Sequence, residues 1–111
     1  MPQPNMNQMM QQVQQMQADM VKAQQEAEQQ VVEASAGGGM VTVKVTGALQ
    51  VLEIKIDPGA VDPDDVEMLQ DMVQAATNEA LRSAQEMVSN RMAQVTGGLE
   101  SALGGLGLPG V

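Results

Sequence analysis

Met40-Val41-Thr42-Val43-Lys44-Val45-Thr46, then Gly47-Ala48-Leu49-Gln50, then Val51-Leu52-Glu53-Ile54-Lys55-Ile56-Asp57 is the stretch that decides the fold. Both outer runs alternate with a period of two and are rich in β-branched residues, so they read as strands. The short glycine-bearing connection makes them antiparallel. Val41, Val43 and Val45 share one face, with Leu52, Ile54 and Ile56 as natural cross-strand neighbours. Thr42, Lys44, Thr46, Glu53 and Lys55 occupy the other. One face is built to be covered and one to be wet. Upstream, Val32, Ala34 and Ala36 alternate with Val31, Glu33 and Ser35, and Gly37-Gly38-Gly39 supplies the turn into the hairpin. Three short strands in an antiparallel meander result.

Working outward, residues 5–30 carry Met6, Met9, Val13, Met16, Met20, Ala23 and Ala27 in a 3-4 alternation, the a/d spacing of a helix that buries a narrow stripe. Glutamine fills most of the remaining surface, eleven of the first thirty residues, and it forms helix well while staying solvated. Disordered low complexity is the competing reading of such a segment, and the sustained stripe speaks against it. On the other side of the sheet, Asp62-Pro63-Asp64-Asp65 reads as a helix start with Asp62 as N-cap, proline at the first position and acids in the first turn. The stripe then runs Val66, Leu69, Val73, Ala76, Ala80, Ala84, Met87, Val88, Met92 and Val95, and Gly97-Gly98 is expected to stop it. The predicted organisation is one α+β domain over residues 1–96, in the order α-β-β-β-α, followed by a flexible glycine-rich tail over residues 97–111. Two rods of this length exceed what three small strands can cover. The stripes, with Met9, Val13, Met16, Met20, Val66, Leu69 and Val73 as their markers, therefore call for an intertwined homodimer with a coiled-coil-like seam. Methionines on such a face can also form a groove for other proteins, but the a/d placement favours core.

Composition narrows the chemistry. The 111 residues are enough for one domain, and they include no cysteine, histidine or aromatic residue. Disulfides, Cys/His metal sites, thiol or imidazole catalysis and aromatic stacking of bases are thereby removed. The carboxylates Asp57, Asp62, Asp64, Asp65, Glu67 and Asp71 do not follow a calcium-loop spacing, and capping with solubility accounts for them. The glycines near 104–107 follow no strand and precede no lysine, so a phosphate loop is excluded. The expectation is a protein that is not an enzyme and takes no metal, cofactor or small-molecule substrate. No apolar run spans a bilayer, and Met1-Pro2-Gln3-Pro4-Asn5 and the residues after it lack a secretory pattern, so a cytoplasmic location is expected.

The net charge of −9 argues against nucleic acid, but its distribution argues less strongly. Residues 57–71 hold six acids and no cation, whereas the first eighteen residues hold no charged side chain at all. Charges more than about 8 Å apart are largely screened at physiological salt. An acidic base does not forbid contact with an anion at the far ends of the helices.

Gly39 to Ala48, Val51 to Pro58, and Val66 to Leu81 with its Ala75-Ala76-Thr77-Asn78-Glu79-Ala80 core resemble the YbaB/EbfC family of bacterial nucleoid-associated proteins, and the Met/Gln-rich opening helix is similar too. The resemblance spans about residues 5–96. It implies a tweezers-shaped homodimer that binds double-stranded DNA in the cytoplasmic nucleoid and alters its conformation. Members of the family often carry several lysines on the first helix, where this chain keeps only Lys22. Candidate phosphate contacts are Lys22, Arg82 and Arg91 on the helices, then Lys44 and Lys55 on the sheet; ordinary surface charge is the competing reading of each. A dimer doubles the five cations to ten and the net charge to −18, so weak, salt-sensitive binding with little sequence preference is expected. A helical scaffold that binds other proteins is the alternative favoured by the acidity.

Overall fold

The computed structural model describes residues 6–104 in the order α1 (Met6–Gln29), β1 (Val31–Ala36), β2 (Val41–Thr46), β3 (Val51–Ile56) and α2 (Val66–Gly104). A single turn of 3₁₀-helix at Pro58–Ala60 links β3 to α2. The sheet has the order β1-β2-β3 and is antiparallel throughout. Val32, Ala34 and Ala36 stand opposite Val45, Val43 and Val41, and Ile56 and Ile54 stand opposite Val41 and Val43 on the other side. All these side chains therefore belong to one face, as the alternation predicts. The pairing slips between Lys44 and Val45, leaving Leu52 as the extra residue of a bulge.

Covering that face falls to α2. Ala76, Ala80 and Ala84, one turn apart, are fully buried against Val41, Val43 and Val45. Alanine has no bulk to hold the helix off, so the rod seats close to the valines. Leu69, Met72, Val73 and Leu81 flank the contact. The helix crosses β1 and β2 and stops short of β3, where Leu52, Ile54 and Ile56 stay 55%, 45% and 40% exposed. The sequence placed all three strands under cover; the single chain covers two.

Two boundaries differ from expectation. The α2 cap is Asp65, whose Oδ1 accepts from the Met68 amide at 3.2 Å. Asp62 is occupied earlier, accepting from the Asp64 amide at 2.9 Å in a turn through Pro63. With three acids in four residues, the one three positions ahead of a free helical amide takes the cap. At the other end, α2 runs through Gly97-Gly98 to Gly104. Glycine ends a helix by adopting a left-handed conformation, and Gly97 remains helical; Leu99, Ala102 and Leu103 carry the apolar spacing onward. The remaining part of the expected tail, residues 105–111, lies outside the described residues.

At the junction of α1 and the sheet, the β2–β3 turn closes the end of the helix. Gly47 N–H donates to the Gln30 carbonyl at 3.0 Å and Ala48 N–H to the Glu28 carbonyl at 3.2 Å. A Cβ at Gly47 would collide with the Ala27 carbonyl, so this position requires glycine. Leu49 completes the turn at φ 64°, in the left-handed region. The molecule is rod-like, 80 × 24 × 15 Å, because α1 packs mainly along α2 rather than over the sheet.

Candidate nucleic-acid interface

The five candidate cations fall into three settings. Lys44 and Lys55 lie on the wet face of the sheet, on neighbouring strands, and share one carboxylate: Glu53 Oε2 is 3.7 Å from Lys44 Nζ and Glu53 Oε1 is 3.7 Å from Lys55 Nζ. Glu33 on β1 stands opposite Lys44, so the centre of this face is electrically balanced.

Arg82 projects from α2 with its side chain 64% exposed. Its Nη2 donates to both Glu79 oxygens, at 2.7 and 2.8 Å. The hydrogen bond to Glu79, and then the attraction of Glu79 and Glu86, push its pKa above the usual guanidinium value. Arg82 is thus charged throughout, but it is held by one acid and faced by a second.

Arg91, farther along α2, reaches across to α1, where its Nη1 is 3.7 Å from Glu26 Oε2. Lys22 lies one turn before Glu26 on the same face of α1, and among the described residues it is the cation without an ion pair. The structure therefore brings Lys22, Glu26 and Arg91 to one region of the paired helices and leaves the sheet lysines apart from it. Exposed pairs of this kind contribute only ~0–1 kcal/mol each, so a phosphate can take the place of the carboxylate at small expense. The acids that hold the cations were the missing element of the sequence reading. Glu79 at i−3 from Arg82 was there to be read; Glu26 and Arg91, on separate helices, become neighbours only through packing.

The predicted apolar stripes divide as well. Leu69 and Val73 pack beside the core, and Met16 is half-buried. Met9, Val13, Met20 and Val66 are 54%, 50%, 41% and 50% exposed in the single chain. No helix among the described residues is long and apolar enough to cross a membrane.

The chain is thus a helix–meander–helix unit with arginine and lysine spread along its paired helices, and comparison with known proteins gives the class to which it belongs. The model of the YbaB/EbfC DNA-binding family matches residues 1–99, and the chain belongs to that family. It is similar to a nucleoid-associated protein of Alkaliphilus metalliredigens, 62% identical over 96 residues covering 86% of this chain and 84% of the relative. Another nucleoid-associated protein, from Saccharopolyspora erythraea, is 50% identical over 98% of this chain and 96% of its own length. The fold is also that of an uncharacterized Helicobacter pylori protein of known crystal structure, with a TM-score of 0.57 and 22% identity over 70% of this chain and 90% of that one. Family membership favours DNA over the protein scaffold as partner.

Proposed function

We propose that this protein works in the bacterial nucleoid as a homodimer that grips duplex DNA through its phosphates, with little sequence preference, and changes the path of the DNA it holds. The single observation that carries the reading is the family match, which covers residues 1–99 and so includes every candidate cation. Physical chemistry adds the manner of binding. Four of the five cations are already engaged with carboxylates, and phosphate oxygens replace such carboxylates like for like, so contacts go to the backbone. Each phosphate contact releases counterions, so affinity falls steeply as salt rises.

The dimer is supported by what the protomer leaves bare. Ile54 and Ile56 lie on the same face as the fully buried valines and yet remain exposed, and Met9, Val13 and Met20 line α1 without cover. A second copy brings the matching apolar surface to both.

An electrophoretic shift series on duplex DNA tests the reading. A shift is expected at about 20 mM salt, fading toward 200 mM and weakened in Lys22→Ala/Arg91→Ala. Absence of any shift at the lowest salt would reject DNA as the partner.

A further inference from the structure

Lys44, Lys55 and Arg91 all stand 3.7 Å from their carboxylates, too far for a hydrogen bond, and of the three Arg91 is the one whose pair bridges two helices. Arg82, by contrast, makes two short bonds to a carboxylate of its own helix. Glu26 also sits one turn from the unpaired Lys22, so a single carboxylate stands where an anion would meet both cations. Its side chain is 54% exposed and Arg91's is 40% exposed, so solvent and ligands reach the pair.

We propose that Glu26 is a built-in competitor for phosphate, which holds Arg91 until DNA arrives and then yields it, so that Arg91 and Lys22 together take one phosphate per protomer. The inference rests on the DNA-binding reading and deepens it, because it names the contact site and the residue that sets its strength. On this account the acidity that weakens binding acts locally at the helix pair, and the six acids between residues 57 and 71 matter much less. It also couples binding to shape. Since Glu26 and Arg91 tie α1 to α2, their separation on phosphate loosens the helix pair at the moment of contact.

The test compares Glu26→Gln with Glu28→Gln in the full chain, by titration of duplex DNA over a salt series. Both substitutions remove one negative charge from the same stretch of α1. Glu28 accepts a bond from Gln24 and, among the described residues, holds no cation. Glu26→Gln is expected to bind roughly tenfold more tightly at about 50 mM salt with the salt slope unchanged, because the same phosphate is neutralised once the competing carboxylate is gone. Glu28→Gln should raise affinity by no more than about a third of that. The gain should vanish in Glu26→Gln/Arg91→Ala. Equal behaviour of the two glutamine variants, or a gain that survives without Arg91, would overturn the proposal while leaving DNA binding intact. Failure of the wild type and every variant to bind at the lowest salt would remove both readings together.

Discussion

The two halves of the sheet's apolar face carry the same alternating pattern and meet opposite fates. Under α2, Val41, Val43 and Val45 are fully buried. One strand over, Ile54 and Ile56 point to the same side and are close to half exposed. The difference lies in the helix, since one rod can shield only two strands. Alternation in a strand therefore tells which face is apolar, whereas coverage depends on how many elements the chain has to spare. Here the shortfall is one strand wide, and it is the physical argument for a second copy.

Substitutions on each half separate these roles. The largest effect is expected at Ala80→Glu, which forces a charge and four extra heavy atoms between α2 and the valines. A loss of about 4 kcal/mol or more, enough to unfold the domain, should appear in urea denaturation. Next comes Gly47→Ala, at the joint between sheet and α1, where the added Cβ meets the Ala27 carbonyl. Thermal melting should show a loss of about 1–3 kcal/mol and fraying of the α1 end. Ile54→Glu, on the bare half, should weaken the protomer by only ~1 kcal/mol, with circular dichroism preserved, because the carboxylate reaches water. The smallest effect is a gain: Leu49→Gly relieves a left-handed residue worth about 1–2 kcal/mol and gives back about half of that in chain entropy. A rise of about 0.5 kcal/mol in stability is expected, and no rise would mean the turn holds Leu49 for its contacts.

Much of this architecture is legible in the sequence because it is local. The strands, the glycine turn and the alanine stripe of α2 follow from spacing alone, as does the pairing of Ile54 and Ile56 with the valines, but the bulge that sets Val51 rather than Leu52 opposite Val45 does not. What escaped depends on competition or on distance. Asp62 and Asp65 are both good caps, and only the geometry of the Pro63 turn selects the second. Gly97 reads as a stop, but Leu99 and Leu103 continue the helical spacing beyond it. At the interface the cations were visible and their keepers were not: Glu26 and Arg91 are 65 residues apart in the chain. The bare β3 face was hidden for the same reason, since the path of α2 across the sheet is a property of packing.

The claim that a second copy covers the third strand is tested most directly by light scattering of the wild type beside Ile54→Glu at micromolar concentration. The account predicts a particle of about twice 11.7 kDa for the wild type and a shift toward 11.7 kDa for the variant. A wild-type mass of 11.7 kDa with intact helix and sheet signals would contradict it.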